Sequence, residues 1–195
     1  MQGSFYRTER SAPLLPKLNL VLVEPRIPQN TGSIARTCAV TGARLHLIHP
    51  LGFALDAAKL KRAGLDYWDK LEIFHYPNVE AFFAQNQVNG PNPYFYFTAK
   101  TGQLYTDVAY PEETYLFFGR EDRGLDEDFL MAHPERCVRI PMRETLRCLN
   151  ISNAVTVAAY EVLRQHNFAG LCMDGRLAQS AWEPETPRAF DISQT

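Results

Sequence analysis

Tyr115-Leu116-Phe117-Phe118-Gly119-Arg120-Glu121-Asp122-Arg123-Gly124-Leu125 is an apolar run that ends on glycine and passes at once into charged residues. Tyr115–Gly119 is apolar on successive residues rather than alternate ones, the pattern of a strand covered on both faces. The glycines have separate uses. Gly119 permits close backbone approach, and Gly124 permits a turn geometry barred to bulkier residues. Taken alone, Gly-x-Glu-x-x-Gly serves equally as a plain strand-to-helix turn. Its position at the carboxyl end of a strand also suits a ligand, because open α/β sheets bind ligands there.

Working outward, the same kind of run recurs at Leu18–Val23, Leu45–Ile48, Leu71–Tyr76, Tyr94–Thr98 and Cys137–Ile140. Helical stretches fall between or after them at Ser33–Val40, Val79–Gln85, Glu127–Ala132 and Asn153–Gln165. Strands alternating with helices predict an α/β fold with a mostly parallel sheet and helices on both faces. The last helix carries Ala154, Val155, Val157, Ala158, Ala159, Val162 and Leu163, leaving Glu161, Arg164 and Gln165 for water or a partner. So wide an apolar surface fits either a core helix that also meets a second subunit or a deeply packed core helix.

The organisation is that of one domain at 17–172, with a Pro-punctuated extension at 1–16 and a polar tail at 173–195. The 195 residues are 46% hydrophobic and 12% aromatic, enough to build one core and too apolar for disorder. A formal net charge of −2 excludes a protein that grips nucleic acid by bulk charge, so any RNA contact must use locally concentrated Lys and Arg. The four cysteines lie far apart, with no metal-ligand spacing, and read as reduced thiols; no metal is expected. Neither a signal-peptide-like run nor a stretch long enough for a membrane span occurs, so the expected protein is soluble, cytoplasmic and without a membrane partner.

Two further segments carry chemistry. Asn30-Thr31-Gly32-Ser33-Ile34-Ala35-Arg36 follows the first strand; Asn30 or Thr31 can cap the helix there and Gly42 can end it. Arg36 is either a solvated arginine or a fixed guanidinium facing a phosphate or ribose beside a helix N-terminus. Ile140-Pro141-Met142 and Arg147-Cys148-Leu149-Asn150-Ile151-Ser152-Asn153 lead into the last helix, with Ser152 as the expected N-cap and Asn150 as a turn residue. Asn150, Ser152 and Asn153 also put neutral polar groups beside a strand end, a wall suited to an amino-acid carboxylate. No Gly-x-Gly-x-x-Gly follows the first strand, and no P-loop or Gly-x-Ser-x-Gly is present.

In this order, the three segments resemble the SpoU-type methyltransferases of the knotted SPOUT superfamily, which carry Asn-x-Gly-x-x-x-Arg, then Gly-x-Glu-x-x-Gly, then an Asn-rich segment before the final helix. The resemblance covers about residues 18–170. Leu45-His46-Leu47-Ile48-His49-Pro50-Leu51-Gly52-Phe53 and Lys61-Arg62-Ala63-Gly64-Leu65-Asp66-Tyr67 are similar to signatures of the small tRNA (cytidine/uridine-34-2′-O)-methyltransferases. The resemblance implies a deep trefoil knot near the carboxyl end, an exception to the rule that connections do not thread. It implies S-adenosyl-L-methionine as cofactor, held by Phe97, Thr98, Gly119, Glu121, Gly124, Ile140, Met142, Cys148, Leu149 and Asn153. It also implies a homodimer that methylates the wobble nucleotide, cytidine or 5-carboxymethylaminomethyluridine, in the tRNA anticodon loop.

The implied catalytic residues are Arg36, Asn30, Glu121 and Asn150, with Glu121 fixing the Arg36 guanidinium. RNA contacts fall to Arg36, Lys61, Arg62 and Tyr67, with Lys59 and Trp68 beside them. One departure stands out: Cys148 replaces the Ser of the relatives' Arg-Ser-(Leu/Met)-Asn, and a thiol is the weaker hydrogen-bond partner. The alternatives are the same chemistry at another tRNA position or on rRNA, and a non-catalytic RNA-binding module.

Overall fold

The computed structural model describes residues 17–54, 71–86, 93–143 and 148–174. The expectations for 1–16, Lys59, Lys61, Arg62, Tyr67, Trp68, Arg147 and the tail beyond 174 lie outside these residues. Six strands appear: β1 (Lys17–Val23), β2 (Arg44–Ile48), β3 (Ile73–Tyr76), β4 (Tyr94–Phe97), β5 (Glu113–Phe118) and β6 (Cys137–Val138). They form one sheet in the order β3-β2-β1-β5-β4-β6, and every pairing is parallel. The helices are α1 (Pro28–Thr41), α2 (Val79–Gln85), α3 (Glu127–Met131) and α4 (Ile151–Gln165).

Strand side chains divide by parity, as a two-residue period requires. Leu18, Leu20, Leu22, Leu45, Leu47, Phe95, Phe97, Leu116 and Phe118 pack with Ile34, Ala35 and Cys38 of α1 and Val155, Ala158, Ala159 and Val162 of α4. On the opposite face Val21, Ile48, Tyr96, Tyr115 and Phe117 meet Phe82 of α2 and Leu130 of α3. Helices therefore cover both faces, which is why the strands read as apolar on successive residues, interrupted by the buried pair Asn19 and His46.

The boundaries show where local signals yielded to tertiary ones. α1 starts at Pro28, five residues before the expected Ser33, with Ile27 in the cap position and no side-chain cap. Proline suits that first turn because its missing N–H would be unsatisfied there anyway. Asn30 and Thr31 are thus buried helical residues and not caps. Gly42 ends the helix as expected, at φ 73° with its N–H on Cys38 O at 2.8 Å. α4 starts at Ile151 with Asn150 as its cap, displacing Ser152, whose N–H the Asn150 side chain accepts. β6 is two residues long because Arg139 leaves the ladder to exchange backbone bonds with Gln103 and Tyr105.

Glu161 departs furthest from expectation. It is buried, accepting both Arg164 Nε and Nη2 at 2.8 Å and Gln165 Nε2 at 2.9 Å. Gln165 in turn bonds Val108 O and Tyr110 N, each at 3.0 Å, tying the end of α4 to the β4–β5 connection. What α4 leaves open is a stripe at Asn153, Val157, Tyr160 and Arg164, with Val157 40% and Tyr160 43% exposed.

Candidate active site

A parallel sheet places every strand's carboxyl end on one edge, and here the register makes four of them neighbours. Leu22 lies opposite Phe118, Phe118 opposite Phe97, and Phe97 opposite Val138. The loops that follow β1, β5, β4 and β6 therefore emerge side by side. Chain order runs outward from β1 through β2 and β3, while β5, β4 and β6 lie on its other side. The crevice of an open α/β sheet forms at such a switch point.

The loop after β5 is a closed pinch. Arg120 N donates to Gly124 O at 3.2 Å and Gly124 N to Arg120 O at 2.8 Å. Gly124 has φ 77°, and a Cβ on Gly119 would lie 2.0 Å from the Gly124 carbonyl carbon. Both glycines are thus required by geometry, for the reasons their positions suggested. The pinch presents Glu121 to the loop after β1.

Glu121 accepts Arg26 N at 2.8 Å on Oε2, and Ile27 N at 3.1 Å and Asn30 Nδ2 at 2.9 Å on Oε1. Its negative charge sits at the N-terminus of α1, where the helix dipole favours it. The relay continues as Asn150 Nδ2 donates to Asn30 Oδ1 at 3.0 Å. Asn150 Oδ1 accepts from Ser152 N at 2.9 Å and Ser152 Oγ at 2.6 Å. One orientation of each amide satisfies both of its neighbours. The three motif segments are joined in a single hydrogen-bonded line.

Asn30, Glu121 and Asn150 are brought together; Arg36 is not part of that line. Six residues along an α-helix move about 9 Å along the axis and about 240° around it. Arg36 is exposed, and among the described residues it makes no ion pair with Glu121, whose two oxygens are engaged as above. It lies next to Thr37, whose Oγ1 meets Thr156 Oγ1 of α4 at 2.9 Å. That contact ties α1 to α4.

The residues expected at a cofactor line the adjoining loops. Thr98 N donates to Val138 O at 2.9 Å, and the Phe97 and Phe118 rings stack at 4.8 Å. Ile140 and Met142 are half-buried, while Cys148, Leu149 and Asn153 are exposed. Leu149 is 42% exposed, an apolar surface of the kind an adenine ring covers. Neutral amides at Asn150 and Asn153 beside this surface fit the amino-acid end of S-adenosylmethionine, so the residues present suit that group.

Sequence reasoning missed a cluster of charges on the β1 side of the pinch. Glu24 Oε2 faces Arg26 Nη2 at 3.2 Å, Arg120 Nη1 at 3.5 Å and Arg123 Nη2 at 3.7 Å. Arg120 also grips Asp122 through Nε at 2.8 Å and Nη2 at 2.5 Å, which holds the Asp122 carboxyl down at about 2. Gly52 belongs to this region. Its N–H bonds Pro25 O at 2.9 Å, and a Cβ there would lie 2.7 Å from Arg26 Cα.

The family model described as the SpoU rRNA Methylase family matches residues 17–160. The chain belongs to the SpoU methylase family. A Geobacillus stearothermophilus relative, provisionally named a tRNA (cytidine(34)-2′-O)-methyltransferase, is 49% identical over 79% of this chain and 98% of its own. A Yersinia pestis protein that bears the same name outright is 45% identical over 78% of this chain and 96% of its own. A solved structure from work on 2′-OH methylation of C/U34 on tRNA is 43% identical, with a TM-score of 0.71 over 78% of this chain and 97% of its own. In this SpoU methylase the hydrogen-bonded line joins Glu121, Asn30 and Asn150.

Proposed function

We propose that this protein transfers a methyl group from S-adenosylmethionine to the ribose 2′-hydroxyl of the wobble nucleotide of tRNA, cytidine or 5-carboxymethylaminomethyluridine at position 34. The observation that carries the reading is the Glu121–Asn30–Asn150–Ser152 line, which joins the three motif segments at the switch point of the sheet. Family membership, and close relatives named for this reaction, support it.

S-adenosylmethionine, when bound, supplies a methyl group on a sulfonium and departs as a neutral thioether. The acceptor hydroxyl, a weak acid, is where this chain must help. A guanidinium is a poor general base, so proton abstraction is not the role we give Arg36. Its work is to hold the ribose-phosphate and stabilise the developing alkoxide. Glu121 and Asn30 are positioning residues: they pin the loop after β1 to the pinch after β5. Asn150 gives one amide hydrogen to Asn30 and, being exposed, can offer the second to cofactor or ribose.

Arg36 is exposed and stands outside the line that Glu121 forms with Asn30 and Asn150, which supports a homodimer in which each subunit's Arg36 serves the other's cofactor loops. The exposed Val157 and Tyr160, with Val40 of α1 60% exposed, supply the apolar contact. A trefoil knot is the topology we assign to the carboxyl end of a catalytic domain at 17–172. The return of α4 from the β6 edge to β1 and β5, and its bonds to Val108 and Tyr110, favour that assignment. Among the described residues no helix is long and apolar enough to cross a membrane, and a tRNA substrate supports a cytoplasmic location.

The test is to incubate the protein with labelled cofactor and tRNA from cells lacking this modification, then map the methylated nucleotide. Label on the 2′-oxygen of nucleotide 34 is the expected result. Label at another tRNA position or on rRNA would overturn the wobble assignment, and cofactor binding without transfer would overturn the enzymatic one.

A further inference from the structure

We propose that Arg26, Arg120 and Arg123, gathered around Glu24, form a clamp for one RNA backbone phosphate beside the reacting ribose. The inference rests on the RNA-methylating function above and adds a subsite to it. All three guanidinium groups converge on one oxygen, Glu24 Oε2, at 3.2, 3.5 and 3.7 Å. Charge-assisted N–H···O bonds to an anion settle at about 2.7–2.9 Å. The one Glu24 oxygen holds the three loosely; Arg120 is already paired with Asp122 through Nε and Nη2, which leaves its Nη1 for a further anion beside Arg26 and Arg123. A phosphate offers more oxygens on one centre and lets each arginine shorten its bond.

Three further features point the same way. The cluster holds three guanidiniums against the carboxylates of Glu24, Glu121 and Asp122, 3 − 3 = 0, a local gathering of arginine in a chain whose net charge is −2. Local concentration of this kind is what a protein without bulk positive charge needs to hold nucleic acid. Arg26 Nε is buried with no hydrogen-bond partner, so this arginine is under-bonded as it stands. Glu24 has φ 50°, a left-handed conformation unusual for a residue with a side chain; such strain persists where the surroundings enforce it, often at functional sites.

Location completes the argument. Arg26 N is itself bonded to Glu121 Oε2, and Arg120 and Arg123 flank Glu121 in the pinch, so the clamp is built on the backbone of the catalytic relay. The acids that follow are otherwise engaged: Asp126 caps α3, and Glu127 pairs with Lys100. Arginine suits the task better than lysine, since its planar fork matches phosphate oxygens.

The test measures tRNA affinity over a series of KCl concentrations, on full-length protein, for an Arg26→Gln/Arg120→Gln/Arg123→Gln variant. The expected result is at least a tenfold weaker Kd for tRNA and a log Kd–log[salt] slope smaller by about 0.7, the share of one single-strand phosphate. Affinity for S-adenosylmethionine should stay within about twofold by calorimetry. Glu24→Gln carries the sharper prediction, because removal of the competing negative charge should tighten tRNA binding. Glu72→Gln, which empties the exposed Arg44 pair at the opposite edge of the sheet, should not.

Unchanged salt slope in the triple variant, or weaker binding in Glu24→Gln with a native melting curve, would overturn the clamp and leave a structural ion network. The wobble-methylation reading is judged separately, by the wild-type product map.

Discussion

Replacing Glu121 with glutamine tests whether the relay organises the site. The carboxylate accepts three N–H donors, two on Oε1 and one on Oε2. A glutamine keeps one acceptor oxygen; placed where Oε1 stands, it retains Ile27 N and Asn30 Nδ2 and turns an NH2 towards the Arg26 N–H. One charge-assisted bond is lost, worth about 1.5–3 kcal/mol net, and the two that remain lose their ionic partner. Taking roughly 2–3 kcal/mol for the set, the ordered arrangement of residues 26–30 falls about 30- to 150-fold relative to disordered ones. The assay is single-turnover methylation with enzyme in excess, where the methyl-transfer rate should drop by that factor while cofactor affinity stays within a few-fold. Glu121→Asp should be similarly impaired, because it keeps the charge but shortens the reach. Hydrogen exchange at Arg26 and Ile27 should accelerate in both. A rate within about threefold of wild type, with those amides still protected, would refute the reasoning.

Arg36→Ala should abolish transfer and leave cofactor affinity within a few-fold by calorimetry, since α1 carries it away from the cofactor loops. Cys148→Ser should change turnover by less than about a hundredfold, equivalent to about 2.7 kcal/mol of barrier, because the exposed backbone there matters more than the side chain. Val157→Glu or Tyr160→Glu should cost dimerisation and activity together in sedimentation and rate measurements; Ala158, fully buried against the sheet, is the wrong place for that charge. Mixing Arg36→Ala and Asn150→Ala chains should restore activity in about half the sites of each mixed dimer, and a dead mixture of proven mixed dimers would exclude shared sites.

Burial, with Arg44 assisting, pulls the His46 pKa from 6.5 down to about 4. Its Nε2 meets Asn19 Oδ1 at 3.1 Å and its Nδ1 meets Tyr76 Oη at 2.9 Å. Asn86 Nδ2 donates to that same hydroxyl, so Tyr76 donates to a neutral ring. A depressed folded pKa means stability intact above about 6.5 and lost as pH falls towards about 4, roughly 2 kcal/mol of it between pH 7 and 5. Urea unfolding of wild type and His46→Gln at both pH values should show the variant without that share of the loss.

The strands were legible because burial on both faces writes itself as near-continuous apolar sequence; β1, β2, β4 and β5 end within a residue or two of expectation. The motif residues were legible by resemblance, and Gly119 and Gly124 also by elementary sterics. What local rules misread were polar residues recruited across the fold. Asn30 looks like a cap but spends its amide on Glu121 and Asn150, so α1 begins earlier on Pro28. Glu161 looks solvent-facing until Arg164 and Gln165 close over it. The arginine cluster was invisible because 24–26 and 120–123 meet only once β1 pairs with β5. No periodicity in either segment encodes that neighbour.

The Asn30 bonds reach 91 residues forward to Glu121 and 120 to Asn150. Contacts so distant in sequence form late, because the chain must close long loops before they return any stabilisation. Neither half of the sheet can therefore assemble a working site by itself, and a chain collapsed into native-like secondary structure but with α4 undocked would have Glu121 and Asn30 without Asn150. Methylation is thus a stricter criterion of the native state than circular dichroism or compaction. In a refolding experiment activity should return after the helical signal, and the lag between them would time the docking of the final helix.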